Sequence, residues 1–124
     1  MSLATAIATK RGLNRGCQVK PAFRLAIYLR DSFRCVYCCT DLHSAAPMDI
    51  TLDHLTCQAD GGTNEARNLV TACRKCNCSR RDMPLSKFAG PETRKDIRRL
   101  TARKLDRYRV LARALIAGKT GENA

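Results

Sequence analysis

Two Cys-x-x-Cys pairs, Cys35/Cys38 and Cys73/Cys76, bracket 34 residues (39–72) in a chain of 124. A two-residue spacer turns the backbone tightly enough to aim both sulfurs at one ion. Two such pairs offer four thiolates to a tetrahedral Zn²⁺. Disulfides, a redox Cys-x-x-Cys and an iron–sulfur cluster are competing uses of the same spacing. Cys39 and Cys78 adjoin the pairs and leave the ligand register open. Cys17 and Cys57 have no evident partner and read as small free thiols. His43, in a polar loop, reads as a solvated side chain.

Other groups with chemistry lie inside and just after this frame: Asp53-His54, then Asn68, then Asn77 directly after the last paired cysteine. An imidazole titrates near neutral pH and can take a proton from water. Asp53 and Asn77 offer hard oxygens that suit Mg²⁺ or Mn²⁺ better than a second thiolate-type zinc. A single hard cation held there would serve phosphodiester hydrolysis, with charge building on a phosphoryl group and on the departing 3′ oxygen. One tension attends this arrangement. Successive strand residues face opposite ways, so Asp53 and His54 can serve one site only if the strand twists, bulges or ends at them.

The string Leu52-Asp53-His54, Gly61-Gly62-Thr63-Asn64, Asn68-Leu69 and Cys73-x-x-Cys76-Asn77 resembles the HNH endonuclease family over roughly residues 22–83. The resemblance implies His54 as general base, Asp53 and Asn77 as holders of the catalytic cation, and Asn68 as the residue fixing the loop that orients His54. It also implies products with 5′-phosphate and 3′-hydroxyl ends. The third family position is often His; Asn77 is a common variant that favours an oxygen-rich metal site. The implied architecture is α+β, a small ββα-metal (His-Me finger) domain with a Cys₄ zinc site, flanked by a short N-terminal and a long C-terminal helix.

The elements that must hold these groups can be read from patterning. Pro21 suits a helix start, and residues 21–31 follow at helical spacing. Residues 33–38 are β-prone and turn-like, and residues 39–48 form a polar loop. Ile50–Leu55 alternates as a half-buried strand, Gly61-Gly62 marks a turn, and Asn68–Ala72 is a second strand. Residues 74–82 read as a helix ending before Pro84. One long helix is expected from Pro91 to Ala117, ended by Gly118. Its apolar stripe is Ile97, Leu100, Leu105, Tyr108, Leu111 and Leu115. The expected organisation is a basic arm (1–19), the nuclease domain (20–90), a basic amphipathic helix (91–118) and a tail (119–124).

Composition narrows the partners. With 23 Lys and Arg against 11 Asp and Glu, the net charge of +12 favours a polyanion. DNA is the expected partner, with RNA left open and no membrane. Arg80 and Arg81, three and four residues after Asn77, are placed to grip phosphate, as are Arg98, Arg99 and Arg103 on the long helix. Self-association through that helix is the other use of its surface. Three Tyr, three Phe and no Trp leave a thin core that a metal staple would help. Without a secretory signal, paired cysteines point to a reducing, cytoplasmic setting of bacterial or phage type. Residues 1–30 lack acidic groups, as a transit peptide would. A non-catalytic zinc-ribbon module would use the same cysteines and charge, but would have no need of Asp53, His54 and Asn77 together.

Overall fold

The computed structural model describes residues 19–121. The expected arm, apart from Val19, and Cys17 within it lie outside the described residues. Helix α1 (Pro21–Arg30) begins on proline, whose fixed φ suits the first helical turn, and ends at Asp31. Its end is fixed by a buried ion pair. Arg30 Nε lies 2.8 Å from Asp31 Oδ1, both side chains being fully buried. Arg30 also donates to the carbonyls of Ala66 (2.9 Å) and Leu69 (2.6 Å), and Asp31 Oδ2 accepts the Thr71 amide (2.8 Å). The chain therefore ties α1 to the second strand with charge-assisted bonds.

Strands β1 (Ile50–His54) and β2 (Leu69–Cys73) pair antiparallel, with Ile50 opposite Cys73 and His54 opposite Leu69. Both expected strands are present, the first one residue shorter at its end and the second shifted by one residue along the chain. Alternation sends Ile50, Leu52 and His54 to one face and Thr51 and Asp53 to the other. On the first face, Leu25, Ile27 and Tyr28 of α1 pack with Ile50, Leu52, Leu69, Leu105 and Ala112. On the second, Val70 packs with Val36 and Ile97.

Between α1 and β1, Phe33–Cys38 forms no strand. A single antiparallel bridge, Arg34 to Asp41, closes a tight knuckle in which Ser32, Phe33 and Cys39 take positive φ values of 59°, 53° and 63°. After β2 comes α2 (Arg74–Arg80), two residues shorter than expected because Arg81 leaves the helix at φ 51°. A short turn, α3 (Leu85–Phe88), follows.

The long helix expected over 91–117 is two helices, α4 (Pro91–Thr101) and α5 (Asp106–Gly121). The break lets one apolar stripe serve two cores. Ile97 and Leu100 cover Val36 and Val70, whereas Leu105, Tyr108, Ala112 and Ile116 join the core around α1, along which α5 lies. It also resets the helical phase, so the expected stripe members Leu111 and Leu115 are 46% and 44% exposed. Gly118 does not end the helix, which continues through Gly121. Among the described residues, no helix is long and apolar enough to cross a membrane.

Candidate active site and zinc site

The two knuckles meet at the base of the hairpin. The sulfurs of Cys35, Cys38, Cys73 and Cys76 all lie within 4.8 Å of one another, with Cys38 and Cys73 3.8 Å apart. Tetrahedral thiolates at a Zn–S distance near 2.3 Å would be separated by about 3.8 Å. The Cys76 amide donates to Cys73 Sγ at 3.3 Å, as a knuckle turn should. Cys39 and Cys78, which adjoin the pairs in sequence, are exposed and outside the cluster. Cys57 Sγ bonds Asp60 Oδ2 at 3.1 Å. His43 stacks on Phe33 and meets Asp41 Oδ1 at 2.6 Å.

The chemistry of the four sulfurs fits a divalent cation. Burial pushes the Cys35 thiol up. Burial, a hydrogen bond to Cys73 and the charge at Cys35 push Cys76 up as well. Cys38 moves the other way: burial opposes its ionisation, yet hydrogen bonds from the Thr40 side chain (2.9 Å) and backbone bring it down to about 6. Four thiolates could share this space only around a divalent ion, which would offset their mutual repulsion.

Above the cluster, α2 covers the Thr51 and Asp53 face of β1. Asn77 Nδ2 donates to Thr51 Oγ1 (2.9 Å) and reaches the Leu52 carbonyl at 3.4 Å. One turn on, Arg80 NH1 donates to Asp53 Oδ2 at 2.6 Å, with both side chains buried. Tyr37, from within the first knuckle, donates its hydroxyl to the same oxygen. Burial, then the charge on Asp53, raise the Tyr37 phenol well above its ordinary value, so it remains a donor. Among the described residues, no hydrogen bond engages Oδ1 of Asp53 or Oδ1 of Asn77. Each of the two therefore keeps one oxygen for another partner.

His54 ends β1 without a bulge, so its side chain leaves the strand on the face opposite Asp53. Its Nε2 lies 2.7 Å from Asn64 Oδ1. Asn68 spends its amide on the intervening loop: Oδ1 accepts the Thr56 amide (2.9 Å), and Nδ2 donates to the carbonyls of Thr56 (3.1 Å) and Thr63 (2.8 Å). Asp53 and Asn77 thus share a face under α2. His54 stands at the adjoining strand end, held from the loop side. No hydrogen bond among the described residues joins His54 to the Asp53 or Asn77 side chains.

Arg80 departs from expectation. It is 3% exposed and donates to the carbonyls of His54 (2.8 Å), Leu55 (2.6 Å) and Met83 (3.1 Å) as well as to Asp53. Its buried guanidinium is directed at the fold rather than at a phosphate. Arg81, Arg98, Arg99 and Arg103 are exposed. Arg99 and Arg103 line a cavity of about 330 Å³ with Arg34, beside Cys35. Sequence reading assigned no role to Tyr37 or Asn64. The only signal that the sequence gives for Asn64 is its place in Gly61-Gly62-Thr63-Asn64.

A two-stranded antiparallel hairpin followed by a helix, with a four-cysteine cluster at its base, defines a small α+β domain of the ββα-metal class. The family model described as HNH endonuclease matches residues 35–82, from the first paired cysteine to just beyond α2, so that span is similar to an HNH domain. No curated protein and no solved structure matches the chain.

Proposed function

We propose that the protein is a metal-dependent endonuclease that hydrolyses DNA phosphodiesters, with a structural Zn²⁺ on Cys35, Cys38, Cys73 and Cys76. Asp53 and Asn77 would hold a catalytic Mg²⁺ or Mn²⁺. The observation that carries this reading is the pair of unengaged oxygens, Asp53 Oδ1 and Asn77 Oδ1, on one hairpin face beside the strand end bearing His54, within a span similar to an HNH domain. The cation would offset charge developing on the phosphoryl group and the leaving oxygen. The chain's own residues account for the rest. His54 takes a proton from the attacking water as the new P–O bond forms and the P–O3′ bond breaks. The 3′ oxygen is protonated from solvent. Asn77 is turned by its bond to Thr51 so that its nitrogen faces the sheet. Arg81, Arg98, Arg99 and Arg103 contact backbone phosphates, in a chain of net charge +12.

A second reading, a zinc-bearing binding module without catalysis, draws support from Asp53. Its Oδ2 is engaged by both Arg80 and Tyr37, as a purely structural carboxylate would be. Supercoiled plasmid discriminates the two. Zinc-loaded wild type and His54→Ala are freed of loosely held metal, then given Mg²⁺ or Mn²⁺. Nicking by wild type alone, dependent on the added ion, is expected; binding without nicking by both would select the module.

A further inference from the structure

Resting on the general-base role of His54 proposed above, we infer that Asn64 is the positioning residue that decides which imidazole nitrogen is basic. His54 Nε2 lies 2.7 Å from Asn64 Oδ1. An amide oxygen only accepts, so the shared hydrogen belongs to Nε2. In a neutral ring the other nitrogen, Nδ1, is then left with its lone pair, and it is the atom able to take a proton from water. The logic is that of any base held by an orienting partner: the partner fixes the ring plane and the tautomer, and the opposite nitrogen does the work.

Three features build the loop that delivers Asn64. The Asn68 amide binds both Thr56 and Thr63, so the residue before Asn64 is pinned across the loop. Gly62 donates to the Cys57 carbonyl at 2.9 Å and packs so closely that a Cβ there would fall 1.7 Å from Thr56 O. Thr63 Oγ1 accepts the Glu65 amide at 3.3 Å, bracketing Asn64 on the other side. Asn64 and His54 are both half-buried, which protects the bond from competing water. The sequence contains this device as Gly61-Gly62-Thr63-Asn64, but only the fold brings position 64 to the end of β1.

The test uses zinc-loaded full chain in four forms: wild type, Asn64→Ala, Asn64→Asp and His54→Ala. Nitrogen-15 spectra of the histidine rings are taken at alkaline pH; His54→Ala assigns the signals. Wild type and Asn64→Asp are expected to show one tautomer with hydrogen on Nε2. Asn64→Ala should show a mixture. On plasmid, Asn64→Ala should lose kcat by about 10- to 100-fold, less than the whole 10²–10⁴ value of a general base, with KM little changed and Asn64→Asp restoring most of the loss. A wild-type ring protonated on Nδ1, an alanine variant with unaltered tautomer, or an aspartate variant as slow as alanine would overturn the proposal. If no form cuts DNA, the nuclease reading fails, while the ring spectra still decide the role of Asn64.

Discussion

The hydroxyl of Tyr37 donates to the carboxylate of Asp53, so a side chain held between two zinc-knuckle cysteines touches an oxygen of the candidate active site. The cysteine cluster and the hairpin end are thereby mechanically joined. Tyr37→Phe should leave zinc content at one per chain while weakening the hold on Asp53. The loss of a hydrogen bond to a charged group is expected to lower the free energy of unfolding by about 1.5–3 kcal/mol. Urea denaturation alongside zinc analysis checks this, and an unaltered midpoint would mean that Arg80 alone holds the carboxylate.

Arg80 and Arg81, neighbours in sequence, should behave oppositely. Arg80→Met strands Asp53 as a buried charge and frees three carbonyls, so a loss of roughly 3–5 kcal/mol is expected in denaturant titration. Arg81→Ala should change stability by no more than about 0.5 kcal/mol. It should instead weaken DNA binding and reduce the slope of log K against log salt by roughly one phosphate contact. Equal effects on stability would contradict the assignment.

Gly62→Ala should displace the loop. The added carbon would overlap the Thr56 carbonyl at 1.7 Å, and neither backbone segment can yield without breaking the Asn68 bonds. A loss of about 1–3 kcal/mol is expected, together with loss of nicking. The same substitution at Gly90, where a Cβ meets nothing within 4 Å, is the control.

Acid should release the structural zinc. The metal-free fold favours the Cys38 thiolate, whose pKa is depressed from 9.0 to about 6. Its contribution to metal-free stability is therefore present above 9 and lost as pH falls through about 6. Cys35 and Cys76, both raised, contribute in the opposite sense, and zinc must displace their protons. Zinc retention should accordingly fall steeply below about pH 6, with protons released on binding at neutral pH. Retention unchanged down to pH 4 would exclude the four-thiolate site.

The legibility of the chain follows the range of its interactions. The four-cysteine cluster was readable because Cys-x-x-Cys is a local turn whose chemistry depends on spacing alone. The hairpin was readable because Ile50–His54 alternates. The fate of Arg80 was hidden, since an arginine on a short helix looks the same whether it meets water or a carboxylate 27 residues away. Arg30, equally buried, was hidden for the same reason. The break at 102–105 escaped because the stripe from Ile97 to Leu115 satisfies one helical period well enough. Only the division of the core between two faces of the hairpin shows why two helices are needed. Asn64 was visible as a letter of a motif, but its contact with His54 exists only once the loop has closed.

Binding of Mn²⁺ to the zinc-loaded chain, followed by electron paramagnetic resonance, tests most directly whether Asp53 and Asn77 share a cation. Wild type should bind one Mn²⁺ per chain with zinc retained, and Asn77→Ala should lose that site while keeping its zinc and its fold. Equal Mn²⁺ binding by both proteins, or none by wild type, would contradict the account.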